Sequence, residues 1–284
     1  MERFDYIVVG AGTAGCVLAR RLSEGKRNKV LLLEAGGSDR HPFIKIPASF
    51  SKLFRTKRDW NFNTTAQNSL LGRPQYMPRA KMIGGCSSMN AMILFRPHPG
   101  DIRDWQSRGH FPYSWEESLV YLQRVEEMMG LRLVDTQAYP SESLFVHPMT
   151  AHFLKACEEY GMEIFQPGTS VDPGAKVFTR NIKNGFRYSV ADAYLRTNVC
   201  SSYVDLRSHC LVEKILVDQK KAFGLEYRQH SQKHMAIAGK EILLCAGSIQ
   251  SPQILQLSGV GDPEVLDPCG IPVLHAVPEL GRNL

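Results

Sequence analysis

The sequence predicts an α/β fold built on a buried parallel sheet, and three stretches of its 284 residues carry this prediction. Residues 7–9 and 29–36 (KVLLLEAG) are near-continuous apolar runs, which are typical of parallel strands covered on both faces. Between them stands a glycine-rich turn followed by a helical pattern. From about residue 201, four further strand-like segments alternate with short turns.

The segment 5–36 has the order strand, glycine-rich turn, helix, strand, with G-x-G-x-x-G at the turn. In such a unit the first glycine permits a tight turn, the second lets the backbone approach a pyrophosphate, and the third lets helix and strand pack closely. The amides at the helix start would point at the phosphates. An acidic residue nineteen positions after the last glycine is placed to bond ribose hydroxyls. The predicted dinucleotide-binding residues of this unit are Gly10, Gly12, Thr13, Ala14, Gly15 and Glu34.

An acid at position 34 would repel the 2′-phosphate of NADP, which an arginine nearby usually accommodates. NADP is therefore disfavoured as the cofactor. FAD and NAD both remain compatible with the unit itself. The section 37–83 is long and irregular instead of a second β-α-β repeat, which favours FAD. Loops of that length are usually functional.

Composition and charge exclude several classes of protein. The formal charge of +6 is scattered, so no block of Lys and Arg indicates nucleic-acid binding. The seven cysteines form no C-x-x-C pair; Cys200, His209 and Cys210 imitate only part of a metal site, so we predict no metal and free, mostly buried thiols. No signal peptide opens the chain and no apolar run approaches the ~18 residues of a membrane span. We therefore expect a cytoplasmic protein, soluble or peripheral to a membrane.

Several further elements can be predicted. A capping box at Ser114 and Glu117 begins a helix over 114–130, and Trp115, Leu119 and Val125 belong to its apolar stripe, which indicates core packing. Residues 131–147 are predicted as a loop, 148–160 as a helix, and 248–261 as a strand-to-helix turn with a short helix.

The stretch IGGCSSMNAM (83–92) concentrates small residues. Small residues let the backbone come close to another group, and Ser and Asn can then bond that group.

Two long segments resemble the signatures of the glucose–methanol–choline (GMC) flavin oxidoreductases. They are RAKMIGGCSSMNAM (79–92) and AGSIQSPQILQLSGVG (246–261). Shorter matches are LEAG (33–36), DWNFNT (59–64), RYS (187–189), AYL (193–195) and GRNL (281–284). The resemblance extends over 7–284, and within the family it is strongest to choline dehydrogenases and related alcohol dehydrogenases.

The resemblance implies a Rossmann-like FAD-binding domain with the beginning of a substrate-binding α+β domain. The expected limits are 1–137 for the first part of the FAD domain, 138–198 for the substrate segment and 199–284 for the returning strands. It also implies that the GGCSSMN segment (84–90) runs beside the pyrophosphate and the isoalloxazine ring of the flavin. Val212 would contact the adenine through its main chain, although an ordinary strand valine is nearly as good an interpretation. The cofactor residues implied in this way are Met82, Gly85, Asn90, Ala91, Met92, Ile93 and Val212.

The sequence also departs from the family pattern. Met89 occupies the place of the histidine that bonds covalently to flavin in certain oxidases, so we expect non-covalent FAD. Cys86 replaces the commoner Gly, Ser or Thr, and RPHPGD (96–101) replaces the usual Arg-Gly start. The family's catalytic histidine lies beyond the last residue of this sequence, so no catalytic residue is assigned.

The implied function is oxidation of the CH–OH group of a small alcohol, choline-like or another primary alcohol, with hydride transfer to flavin N5. The electron acceptor is not identified. One alternative is a truncated flavin-binding protein without turnover, and another is an NAD-binding enzyme outside the family.

Overall fold

A computed structural model describes residues 2–109, 111–130, 146–165, 174–196 and 203–284. It divides the chain into two compact units, one formed by Met1–Asn90 with Ser189–Leu284 and the other by Ala91–Tyr188. These limits differ from the domain boundaries expected at 137/138 and 198/199. The assignment of a cofactor or substrate role to each unit stays a prediction.

The strands of the described part are numbered here in chain order. They are β1 (Glu2–Val9), β2 (Val30–Leu33), β3 (Phe62–Asn63), β4 (Tyr76–Met77), β5 (Ile93–Leu94), β6 (Thr179–Arg180), β7 (Ile182–Lys183), β8 (Phe186–Arg187), β9 (Val204–Arg207), β10 (Cys210–Asp218), β11 (Lys221–Gln229), β12 (Gln232–Leu244), β13 (Val260–Gly261) and β14 (His275–Ala276). The α-helices are α1 (Thr13–Ser23), α2 (Pro42–Lys45), α3 (Pro99–Ser107), α4 (Trp115–Met128), α5 (Pro148–Glu159), α6 (Val190–Tyr194), α7 (Gly247–Leu257) and α8 (Pro263–Leu266).

The first unit is built on a six-stranded sheet in the order β10-β11-β12-β1-β2-β9. Strands β12, β1, β2 and β9 are parallel, and β10, β11 and β12 form an antiparallel meander. The apolar runs in β1 and β2 are buried because they lie in the middle of this sheet. The predicted α/β class with a parallel sheet is confirmed. Val9 pairs with Leu33, so β1 and β2 end at the same edge.

Helix α1 packs through small residues, because its buried positions are Gly15, Cys16, Ala19 and Ser23. The larger apolar side chains of Val17 and Leu18 are only half-buried. Gly25, one residue after the C-cap Glu24, has φ +79°, the left-handed conformation in which glycine commonly ends a helix.

The section 37–83 contains short elements only: α2, 3₁₀ turns at Pro47–Leu53 and Asn68–Leu70, and the β3–β4 hairpin. Much of its order comes from Asp59, which is 4% exposed. Its Oδ1 accepts from the backbone N–H of Asn61 (3.0 Å) and Arg79 (3.1 Å). Its Oδ2 accepts from the N–H of Arg55 (2.9 Å) and from the Tyr76 hydroxyl.

The second unit contains α3, α4 and α5. The capping box of Ser114 and Glu117 is confirmed at the start of α4, but Val125 is 42% exposed, so its predicted place in a core-facing stripe is wrong. The unusual RPHPGD segment caps α3: the His98 side chain accepts from the Gly100 N–H, and Asp101 accepts from the His98 N–H. Helix α5 confirms the prediction for 148–160, whereas most of the predicted loop 131–147 lies outside the described residues.

The described cysteines are free, but the prediction that they are mostly buried is wrong. Cys16 and Cys210 are buried, whereas Cys86 and Cys269 are exposed. Among the described residues no group of His, Cys, Asp and Glu is arranged to hold a metal, and Cys200 lies outside them. None of the helices in the described ranges is long and apolar enough to cross a membrane.

Candidate functional site

The glycine-rich turn joins the end of β1 to α1, and two of its glycines are required by the protein's own packing. Gly10 has φ +97°, and a Cβ built on it would lie 2.5 Å from the Cys245 carbonyl oxygen. A Cβ on Gly15 would lie 1.9 Å from the Gly10 carbonyl oxygen. These contacts agree with the turn and close-packing roles that the sequence predicts for Gly10 and Gly15.

Gly12 differs, because no described residue fills the space where its side chain would lie. It is the N-cap of α1 with φ −78°, and a Cβ built there would meet only the Gly85 Cα, at 4.0 Å. No described side chain caps this helix, and Thr13 and Ala14 are exposed in its first turn. The N-terminus of the helix therefore offers uncapped amides with partial positive charge, which is how helices bind phosphate groups.

Glu34 follows β2 at the same edge of the sheet. Its Oε2 accepts from the Ala11 N–H at 2.9 Å and its Oε1 from the Gly36 N–H at 2.8 Å. The side chain is thus held beside the glycine-rich turn. Burial raises its pKa to about 7, although the two hydrogen bonds and the charge of Lys81 oppose the shift. A carboxylate has about four acceptor positions, and two of those of Glu34 are used by described residues.

Residues 83–85 of the segment 83–92 lie against the glycine-rich turn and the chain that follows β2. Gly84 donates its N–H to the Ala11 carbonyl at 2.7 Å, and Ile83 donates to the Gly37 carbonyl at 3.0 Å. A Cβ on Gly85 would lie 2.7 Å from the Gly12 Cα. The small residues of this segment therefore let two backbone loops meet, with Gly12 and Gly85 at the contact.

The hydroxyls of this segment serve the protein's own backbone. Ser87 donates to the Gly84 carbonyl at 2.7 Å and accepts from the Val190 N–H at 3.2 Å. Ser88 donates to the Ile83 carbonyl at 2.9 Å. Each hydroxyl thus donates to nearby main chain, as buried hydroxyls usually do, and the expectation that serines here bond an external group stays a prediction.

The remaining predicted residues of the segment are divided between the two units. Met82 and Met89 are buried in a small cluster with Ile44 and Leu53. Asn90 is exposed, and its N–H donates to the Cys86 carbonyl at 2.9 Å. Ala91, Met92 and Ile93 belong to the second unit, where Met92 has φ +63° and accepts from the Asn181 N–H.

Val212 lies in β10 opposite Tyr227, with its side chain in the core of the sheet. Its side chain therefore acts as an ordinary strand residue. The strand itself begins beside the site, because the Cys210 N–H donates to the Glu34 carbonyl at 2.8 Å. The main chain of Val212 stands two residues from that contact.

In the second signature, Ala246 is the N-cap of α7 and no described side chain caps it.

The sequence did not indicate the partners of Glu34, nor that Asp59 organises the loop before the first signature. Both depend on backbone N–H groups, which carry no residue-specific signal. A third contact joins His209 to Gly37, two positions that no local spacing connects.

A glycine-rich turn, an uncapped helix and an acid at the next strand end define an α/β dinucleotide-binding protein. The family model for GMC oxidoreductases matches residues 4–284, so the chain belongs to the GMC oxidoreductase family.

Relatives and solved structures agree with this assignment. The chain is 36% identical to an oxygen-dependent choline dehydrogenase of Vibrio vulnificus, over 100% of this chain and 52% of the relative. A pyridoxine 4-oxidase from Mesorbium loti superposes with a TM-score of 0.86 at 29% identity, over 97% of this chain and 55% of that one. An FAD-dependent oxidoreductase from Chaetomium thermophilum gives a TM-score of 0.82 at 28% identity, over 97% and 51%. The chain thus spans about half the length of the curated relatives it matches.

Proposed function

We propose that this chain binds FAD non-covalently and forms the cofactor-binding part of an oxidoreductase that acts on the CH–OH group of an alcohol. The observation that carries the proposal is the state of Glu34. The carboxyl group is buried at the sheet edge, its pKa is raised to about 7, and half of its acceptor positions have no partner among the described residues. Ribose hydroxyls are donors that fit such a group.

The surrounding residues fit the rest of a dinucleotide. The amides of Thr13 and Ala14 would hold the pyrophosphate, and Gly12 leaves room for it to approach. Met82 and Gly85 are joined by a hydrogen bond next to Gly12. Val212 follows Cys210, which bonds the Glu34 carbonyl, by two residues. We propose that the main chain of Met82, Gly85 and Val212 lines the site. Asn90 and the amides of 91–93 would hold the flavin end, as the family resemblance implies. When bound, FAD supplies the acceptor for a hydride from the alcohol carbon.

The family and the FAD-dependent relative favour FAD over NAD. Two features support non-covalent binding. A methionine thioether cannot form the histidyl bond known from certain oxidases, and Met89 is only 2% exposed within its apolar cluster. Acid precipitation should therefore release the yellow colour into the supernatant. Colour that stays on the precipitated protein would contradict this part of the proposal.

The alcohol is proposed to be choline or another primary alcohol, because similar proteins include a choline dehydrogenase and a pyridoxine 4-oxidase. None of the histidines in this chain matches the family's catalytic position, so the base is proposed to come from the further half that the relatives possess. The alternative is a chain that holds flavin without turning over alcohol.

The first experiment is a titration of the purified protein with FAD and, separately, with NAD. Calorimetry monitors both titrations, and flavin fluorescence also monitors the titration with FAD. Saturable FAD binding without NAD binding supports the cofactor assignment. NAD binding without FAD uptake overturns it. Reduction of an artificial electron acceptor with choline would then support the enzyme, whereas flavin binding without reduction of the acceptor by any primary alcohol would favour the silent flavin-binding protein.

A further inference from the structure

His209 immediately precedes β10 and lies beside the chain that follows β2. Its N–H donates to the Gly36 carbonyl at 2.9 Å, next to the bond from Cys210 to the Glu34 carbonyl. His209 itself has φ +58°, a left-handed conformation that is uncommon outside glycine, asparagine and aspartate. The main chain at 209–210 is therefore fixed directly beside the acid that we propose for ribose binding.

The imidazole of His209 lies against Gly37. A Cβ built on Gly37 would be 2.9 Å from the ring Cε1 and 3.0 Å from Nε2. The absence of a side chain at position 37 is what lets the ring occupy this place. Gly37 follows Glu34 by three residues, so the His209 ring contacts the chain just after the acid.

The ring of His230 lies next to the ring of His209. The centroid of His230, in the turn between β11 and β12, lies 5.6 Å from that of His209 at an interplanar angle of 36°. Both histidines are exposed. Two exposed aromatic rings thus stand together at the edge of the candidate site, outside the apolar core that explains most packed rings.

We propose that the imidazole of His209, supported by His230, is the contact surface for the adenine base of the dinucleotide. This inference rests on the proposed function. A base is joined directly to its ribose, so a ribose bonded to Glu34 places the base within a few ångströms of the chain that follows β2. A flat ring at that position offers stacking, which is the interaction that proteins use for nucleobases without reading their sequence.

The test compares ligands with and without adenosine. Dissociation constants of FAD, ADP and FMN are measured by calorimetry for the wild-type protein and for His209→Ala, His209→Phe and His230→Ala. We expect His209→Ala to weaken FAD and ADP binding by the same factor, roughly tenfold. FMN, which lacks adenosine, should bind as before. His209→Phe keeps a flat ring and should restore most of the FAD affinity, while His230→Ala should have a smaller effect than His209→Ala.

His275→Ala, at an exposed histidine in β14, is the matched control and should bind all three ligands like the wild type. Unchanged FAD affinity in His209→Ala would overturn the inference while leaving the proposed function standing. An equal loss for FAD and FMN would also overturn it, because a general disturbance of the fold does not distinguish the two ligands. If the wild-type protein, folded by circular dichroism, takes up no FAD, the proposed function itself is wrong.

Discussion

Two buried carboxylates in the same compact unit have opposite hydrogen-bonding states. Asp59, in the irregular section before the first signature, accepts four hydrogen bonds and thereby uses all its acceptor positions. Glu34, at the end of β2, is nearly as buried but accepts two from described residues. All acceptor positions of Asp59 are thus used within the protein, whereas Glu34 has acceptor positions that a ligand could fill.

Their pKa values shift in opposite directions because the balance between burial and hydrogen bonding differs. Burial of Asp59 opposes ionisation, but the hydrogen bonds from Tyr76 and three backbone amides outweigh it and lower the pKa. Burial of Glu34 is the largest influence on that group, and two amides with the charge of Lys81 do not offset it. The comparison teaches that a buried acid with unfilled acceptor positions indicates a binding site, while a saturated one indicates a structural centre.

The largest expected effect is on stability when Asp59 is removed. Asp59→Ala leaves four donors without their acceptor, and we expect the free energy of unfolding to fall by about 3 kcal/mol. Urea unfolding followed by circular dichroism measures the change. FAD affinity of the folded fraction should stay within about threefold of the wild type, since Asp59 is not among the residues that we propose to contact FAD. A tenfold loss of affinity without loss of stability would reverse the roles that the comparison assigns.

The second prediction concerns pH. The pKa of Glu34 is about 7 in the folded protein against 4.5 in the unfolded chain, so the folded state binds this proton more tightly. Stability of the ligand-free protein therefore declines as pH rises from about 4.5 to about 7, by about 3 kcal/mol at most from this group. Asp59 acts in the opposite sense: its lowered pKa contributes stability at neutral pH that is lost as pH falls through the folded-state value.

Unfolding by urea at pH 5 and pH 8 measures this slope in the wild type and in Glu34→Gln. Glutamine does not titrate in this range. The free energy of unfolding should therefore decline less between pH 5 and pH 8 in the variant than in the wild type, and the difference is the contribution of Glu34. Equal slopes in the two proteins would mean that Glu34 keeps an ordinary pKa, and the contrast with Asp59 would fail.

The third prediction concerns ligand binding. Glu34→Gln replaces a carboxylate acceptor by an amide that carries one acceptor and two donors, and we expect FAD affinity at pH 8 to fall about 30-fold, or about 2 kcal/mol. The matched control is Asp59→Asn, which makes the same chemical change at the saturated carboxylate. If Asp59→Asn weakens FAD as much as Glu34→Gln does, the acceptor capacity of Glu34 is not what binds the ribose.

Part of this picture could be predicted from the sequence. Gly10, Gly15 and Glu34 follow a spacing that a β-α-β unit imposes, and the apolar runs of β1 and β2 reflect burial on both faces of a sheet. Spacing of this kind is local, so it can be read before the chain is folded. The strands after residue 201 were predictable for the same reason.

The rest depends on contacts that leave no pattern in the chain. Asp59 binds backbone N–H groups up to 20 residues away in a section without periodicity. Ser87 and Ser88 turn their hydroxyls to nearby carbonyls, although their residue types equally suit a ligand. Helix α1 buries its small residues and leaves Val17 and Leu18 half-buried, because the close approach set by Gly15 favours small side chains. Residue type indicated what each position was able to do, and packing decided what it does.

The smallest expected effect extends the comparison to two glycines of the same turn. Gly12→Ala adds a methyl group where the nearest atom is 4.0 Å away and φ is −78°, so stability should change by less than about 1 kcal/mol. The methyl group occupies the path of a pyrophosphate, and FAD affinity should fall roughly tenfold. Gly15→Ala is the control for a glycine that the fold itself requires, since its Cβ would lie 1.9 Å from a backbone oxygen. That variant should lose cooperative unfolding. If Gly12→Ala instead destabilises the ligand-free protein as strongly, the space beside Gly12 belongs to the fold and not to a ligand.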